Sequence, residues 1–359
     1  MKYRTTHILA QTTLDTEGGT ETISLKVKDP ISRLTLGYDV TGVDKAKIAP
    51  LAAGLTKIEL VDGSDVLFSM DGYECQALAI YDRRVNTLNH GQYIIGNAIY
   101  GSFPIDFGRF LHDPELAFDP KKFDNPMLKV TYDTDACDAS ATVSHLEVWA
   151  DCFDERTISP IGFLMSKEHW KQTITTDNYS YVDLPLDHTI RKLLVRGFKT
   201  QQAPWYCIAQ ARIDEDNEKR VPFNWDMEDY HRIMKGVWLP VIEQIVDYAN
   251  ENGDFDIYVT PTDYYVVWAG LPQGSYNVWT ATYSPGGYVQ RHASGTTMVS
   301  GIVYGWCPHH CIEFPFGDQR DIADWYDVAL KESVRLRLKG SAETTPGVGS
   351  VVLQQLRRY

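Results

Sequence analysis

The chain has 359 residues, 43% of them hydrophobic and 23% charged, which is a globular composition long enough for two domains with cores of their own. Its formal net charge of −14 excludes a broad nucleic-acid-binding face, which needs a surplus of Lys and Arg. The longest apolar run, YYVVWAGL from Tyr264, falls short of the roughly 20 residues of a membrane span. MKYRTTHILAQTTLDTEGG at the N-terminus lacks the apolar centre of a signal peptide. The six scattered cysteines (Cys75, Cys137, Cys152, Cys207, Cys307 and Cys311) read as reduced thiols of a protein made in the cytoplasm.

In chain order, most segments read as strands. RLTLGYDV (33–40), KIELV (57–61) and VLFSM (66–70) are short, β-branched or aromatic and roughly alternating, and DGSD at Asp62 makes a tight hairpin between the last two. Asp71, with Glu74 three residues on, predicts a capping box and a helix through about Asp82. MLKVTY (127–132) and HLEVWADCF (145–153) are strands again. Pro240, then apolar Val241, Ile242, Ile245, Val246 and Ala249 and a Gly253 stop, predict a second helix. Both helices are expected to lay an apolar stripe on the sheets. YNVWTATY–SPGG–YVQRHA (276–293) reads as a hairpin turned by Pro285 and the Gly pair after it.

The chain also resembles itself. ISRLTLGYDVT from Ile31 matches IRKLLVRGFKT from Ile190, with Leu34 on Leu193 and Leu36 on Val195. A hairpin with an acidic turn follows in each half, VDGSD at Val61 and IDEDNEKR at Ile213, and then an acidic helix cap, Asp71/Glu74 or Asp226/Asp229. FPIDFG at Phe103 is echoed by FPFGD at Phe314, MLKVTY by SVRLRLKG (333–340), and ATVSHLEVW by the closing GVGSVVLQQLRRY. The order implies two homologous β-domains, 1–160 and 161–359, the second carrying an insertion at about 236–300. About eight strands per copy with few helices favour an all-β fold of two tandem eight-stranded jelly rolls with a few short inserted helices.

The chemistry-bearing motifs are sparse. No phosphate-binding loop, dinucleotide fingerprint, nucleophile elbow or HExxH occurs, so no catalytic, cofactor-binding or metal residue and no cofactor is expected. A glycosidase would need two acids across an aromatic cleft. Asp254, Asp256 and Asp263, with Trp268, Trp279 and Trp306, are the residues that could build one. The acidic turn DEDNE (214–218) lacks the Gly and the spacing of a calcium loop and reads as a solvated tip. WCPHHC (306–311) offers two Cys and two His. Four ligands so close in sequence cannot all reach one tetrahedral ion, and a turn entering a strand is the better reading, with intersubunit completion the one route to a Cys307–Cys311 metal site.

RLTLGYDVTG, KIELVDGSDVLFSMDG, GSFPIDFGRFLHDPELAFDPKKFDNPMLKVTY and GVGSVVLQQLRRY, in this order, resemble the double jelly-roll major capsid proteins of icosahedral, membrane-containing bacteriophages. The resemblance implies a non-enzymatic structural protein. It would form a homotrimer that contacts neighbouring trimers and minor capsid or penton proteins in a virion shell assembled in the host cytoplasm. Nine Trp and 21 Tyr suit large lateral interfaces. Lys2, Arg4, Arg357 and Arg358 would let the termini face an anionic internal membrane. The alternative is a carbohydrate-binding or glycan-hydrolysing β-sandwich, such as a spike or adhesin.

Overall fold

The computed structural model describes the chain except residues 16, 43–47, 86–88, 94–95, 156, 250–252, 270–285, 294–296 and 343–345. Its first nine strands are β1 (Tyr3–Leu14), β2 (Gly19–Ser24), β3 (Ile31–Gly42), β4 (Leu55–Asp62), β5 (Asp65–Met70), β6 (Asn89–Tyr93), β7 (Ala98–Asp106), β8 (Pro126–Tyr132) and β9 (Ala141–Phe153). They lie in two facing layers, β1-β9-β3-β7 and β2-β8-β4-β5. Helix α1 (Gly72–Arg83) joins β5 to the strands that lead into β7. Along β8 burial alternates strictly, so Met127, Lys129 and Thr131 face out while Leu128 and Val130 fill the core. At the β4–β5 turn Gly63 sits at φ +60°, which a residue without Cβ adopts at no steric cost.

The second half repeats the pattern with β10 (Gly162–Ile174), β11 (Tyr179–Asp183), β12 (Ile190–Phe198), β13 (Ile208–Glu215), β14 (Arg220–Asp226) and helix α2 (Met227–Met234). Five further strands follow: β15 (Val241–Ala249), β16 (Gly253–Tyr258), β17 (Pro261–Ala269), β18 (Tyr288–Ala293) and β19 (Thr297–Pro308). The chain closes with β20 (Cys311–Pro315), β21 (Val334–Gly340) and β22 (Gly347–Arg358). Its layers, β10-β22-β12-β20 and β11-β21-β13-β14, have the same neighbour order as the first roll. Each half is an eight-stranded jelly roll, and both carry a capped helix at the same point of the winding.

Shared backbone contacts show the duplication at residue level. Ile31 exchanges a pair of hydrogen bonds with Phe118 (2.7 and 2.9 Å), and Ile190 does so with Tyr326 (3.0 and 3.0 Å). A bulge follows each isoleucine. Phe107 N–H donates to Ser32 O at 3.1 Å, and Phe316 N–H to Arg191 O at 3.0 Å. These contacts make Phe107-Gly108 the counterpart of Phe316-Gly317, so the echo of Phe103 in Phe314 joins the right strands but is slipped by two residues. A period-2 repeat tolerates that slip, because it preserves which face each side chain occupies.

The expected helix after Pro240 is a strand, β15. Burial alternates over Val241–Ile245, and β-branched Val and Ile, stiff at χ1, fit a pleated surface better than a helix. β15 pairs antiparallel with β19 and parallel with β6 of the first roll. It extends one layer to eight strands, while β5 against β10 does the same for the other. The predicted 276–293 hairpin lies outside the described residues except for its second arm, β18, whose described partner is β16. A small cluster of Ile245, Ile257, Val259, Val289 and Val303 gives these added strands a core of their own. The main apolar cluster runs without a break through both rolls.

Candidate functional site

Helix α1 packs between the rolls and, with the β5–β10 and β6–β15 pairings, joins them. Its predicted capping box is present: the Asp71 carboxylate accepts from Glu74 N–H at 2.9 Å, and the Glu74 carboxyl accepts from Asp71 N–H at 3.4 Å. The expected apolar stripe is not what it presents. Gly72 and every residue from Glu74 to Tyr81 are buried, including Glu74 and Gln76, because the second roll covers the side that would otherwise meet water.

The polar residues of α1 meet partners on the second roll. Arg196 and Lys171 each lie 3.2 Å from Asp71, Ser350 hydrogen-bonds Glu74, and Tyr81 donates to the Cys311 carbonyl at 2.8 Å. At the helix end, Arg191 and Lys192 each stand 2.8 Å from Asp82, and Gln354 donates to it at 2.8 Å. Burial alone would raise the Asp82 pKa, but Arg191 and Lys192 outweigh it and hold the carboxylate down at about 2. Burial, with Asp71 and Glu168 close by, pushes Glu74 up to about 8.

That shift sets a pH dependence. The folded chain keeps the Glu74 proton between its ordinary value near 4.5 and about 8, where the unfolded chain releases it. Stability from this group is therefore complete at low pH and is lost as pH rises through that window, by up to about 1.4 kcal/mol per pH unit. Glu74→Gln copies the neutral acid. Between pH 5 and 9 its thermal midpoint should fall less steeply than that of the native chain; parallel curves would refute the assignment.

WCPHHC lies in this seam. Cys307, His309 and His310 adopt positive φ (55°, 51° and 65°), making the expected turn between β19 and β20, but a buried one. His309 Nε2 is 2.7 Å from Gln76 Oε1 of α1. Burial, then Arg196, lowers the His309 pKa to about 3, and burial pushes both Cys307 and Cys311 thiols well up. Cys307 Sγ lies 3.3 Å from His231 Nδ1, whose Nε2 meets Asp263 at 2.7 Å. The arrangement holds a neutral thiol against a hydrogen-bonded imidazole, and Cys307 is fully shielded from solvent. Among the described residues, the one group of metal-type ligands close together is Asp71, Glu74 and Glu168, which no sequence motif announced. Lys171 and Arg196 already supply its positive charge.

Of the other sequence candidates, Asp263 and Trp306 meet as register partners on β17 and β19, with Lys235 paired to the carboxylate and 4.3 Å above the indole. Asp263 is bound by His231 and Lys235, which outweigh burial and keep its pKa low, so it is no poised general acid. Asp256 lies on β16, Asp254 and Trp268 on β16 and β17, and Trp279 falls outside the described residues. The Trp306 indole donates to Trp238 O at 3.3 Å.

DEDNE is solvated only at its tip: Asn217 and Glu218 are exposed, while Asp214 and Glu215 are buried and paired. Arg212 takes Asp214 (2.6 Å), Arg220 and Lys331 take Glu215 (2.9 and 2.8 Å), and Asp216 accepts two backbone N–H groups. The termini are not loose cationic tails. Arg4 pairs with Asp29 at 2.5 Å and Arg357 with Asp65 at 2.5 Å, while the Tyr359 hydroxyl donates to Ala117 O at 2.7 Å. Lys2 and Arg358 are left without such partners among the described residues. Arg212 and Arg220 are near neighbours of the turn in sequence, whereas Lys331, Asp29 and Asp65 are distant from the residues they neutralise.

Comparison with solved structures aligns almost the whole chain with viral capsid proteins. The major capsid protein of Sulfolobus turreted icosahedral virus aligns over 99% of this chain and 97% of its own, with a TM-score of 0.62 at 8% identity. The major capsid protein of bacteriophage PM2 aligns over 99% and 98% (TM-score 0.54, 8% identity). The PBCV-1 virus capsid structure aligns over 99% and 93% (TM-score 0.54, 12% identity). The chain has their double jelly-roll fold. No protein-family model and no curated protein sequence matches it. The double jelly roll therefore persists at identities where sequence comparison is silent, since either roll needs only alternation, turns and a filled core.

Proposed function

We propose that the chain is a major capsid protein that trimerises and tiles an icosahedral virion shell over an internal membrane, and that it is not an enzyme. The observation that carries this reading is the alignment of both rolls, in order, over nearly the whole of two viral capsid proteins. In this reading the rolls divide at residue 160/161, and the insertion at about 236–300 decorates the second. The exposed apolar side chains of the 233–239 segment support a lateral contact there: Ile233, Val237 and Leu239 are 56%, 54% and 63% exposed. Minor capsid proteins would complete the shell.

The purified chain should sediment as a trimer and, under assembly conditions, form pseudo-hexagonal tiles in negative stain. Uniform monomers with measurable glycan hydrolysis would overturn the proposal.

A further inference from the structure

A cleft of about 730 Å³ opens where the two rolls meet, between the C-terminal end of α1, the 108–111 loop after β7 and the 318–320 loop after β20. Cations concentrate in it, on a chain whose net charge is −14. Several are neutralised: Arg33 by Asp106, Arg191 and Lys192 by Asp82, and Arg109 by Asp113 and Glu115. Three are not. Arg83, Arg84 and Arg320 line the cleft without an ion pair among the described residues, and the Arg84 guanidinium donates to Val237 O at 3.1 Å. Arg83 is half-buried, which together with nearby Arg33 disfavours its charge, while Asp106 and Asp151 act at longer range in the opposite sense.

The same cleft holds two buried acceptors with no hydrogen-bond partner among the described residues, Asp106 Oδ2 and Gln319 Oε1. A buried acceptor with no donor is destabilising until something donates to it. At the cleft wall Phe110, Leu111 and Val85 expose 53%, 42% and 42% of their surface. The cleft thus presents unpaired guanidinium donors, orphaned acceptors and apolar surface together.

We propose that this cleft binds a phosphate ester whose alcohol or amine part donates hydrogen bonds, with the phosphate at Arg83, Arg84 and Arg320 and the donor at Asp106 Oδ2 and Gln319 Oε1. Guanidinium groups bind phosphate through charge-assisted, often paired hydrogen bonds, which suits a site built from arginines. The ester is supplied either by a phospholipid headgroup, whose acyl chains would lie on Phe110, Leu111 and Val85, or by a soluble phosphate monoester. The inference does not depend on the capsid reading.

The test uses the full-length chain with glycerol 3-phosphate in calorimetry, and with vesicles of phosphatidylglycerol in phosphatidylcholine, or phosphatidylcholine alone, in flotation. Arg320→Gln, at an exposed position, and the double variant Arg83→Gln/Arg320→Gln should each weaken binding, the double by about tenfold or more. Arg232→Gln, on α2, should bind as the native chain does. Saturable glycerol 3-phosphate binding identifies a soluble ester; binding to phosphatidylglycerol vesicles alone identifies a headgroup. Either supports the site. If neither probe binds, or if Arg320→Gln and Arg232→Gln bind alike, the proposal is wrong. Should the double variant lose thermal stability, Arg320→Gln alone decides.

Discussion

Replacing Asp82 by alanine should destabilise the protein by about 3–5 kcal/mol, the cost of breaking a buried ion pair from one side. Asp82 lies on α1 of the first roll, and its partners Arg191, Lys192 and Gln354 lie on β12 and β22 of the second. The side chains of Asp82, Arg191 and Lys192 are 5%, 3% and 3% exposed, so water cannot replace the lost carboxylate. Lys192 would keep Glu313, but Arg191 would keep only the neutral acceptors Gln354 and Gln319 O. Urea unfolding should show the loss, and because the apolar core runs through both rolls, the native chain should unfold in one transition. A loss under about 1 kcal/mol would mean that the seam repacks around the missing charge.

Phe118→Ala should cost a similar amount, about 3–5 kcal/mol, through the cavity it leaves. Phe118 is fully buried, stacks on Phe107 (5.1 Å) and Phe123 (4.8 Å), and meets Phe163 of β10 edge-on at 5.4 Å. Phe163 in turn contacts Tyr359 at the C-terminus (5.8 Å), so the cluster ties the first roll to the last residue of the chain. Phe118→Leu keeps most of the volume and should recover most of the thermal midpoint. If Ala and Leu lower the midpoint equally, the ring stacking and not the filled volume carries the effect. The second-roll counterpart, Tyr326, makes the same backbone bridge but sends its hydroxyl to Glu215 at 2.7 Å, so one position is apolar in one copy and polar in the other.

The strands of both rolls were legible because each depends on information held within a few residues. Leu128 and Val130 alternate with polar neighbours, Gly63 and its acidic flanks turn a hairpin, and Asp71 and Glu74 close a capping box across three positions. The duplication was legible for the same reason, since Ile31 and Ile190 open equivalent strands with equivalent patterns. The Val241 segment misled because Pro240 and a run of valine and isoleucine satisfy helix-start rules as well as strand rules. Pairing with β19 and with β6, whose Gly91 is the register partner of Ile245, decides between them.

The candidate site was far less legible. WCPHHC drew notice for its metal-type ligands, yet its place is in the seam, where His309 meets Gln76 and the Cys311 carbonyl meets Tyr81. The burial of Asp214 and Glu215 and the pairing of the terminal arginines were hidden because the decisive partners are remote in sequence: Lys331 and Arg337 for the turn, Asp29 and Asp65 for the termini. By itself, then, the sequence determined the two-roll β architecture, the capped helices and the acidic surface, all properties of local pattern and composition. Only the tertiary structure decided which buried charges neutralise one another, that α1 locks one roll to the other, and that Arg83, Arg84 and Arg320 converge unpaired on one cleft. Those outcomes depend on long-range distance, because the worth of a charge or a polar atom is set by what burial brings beside it.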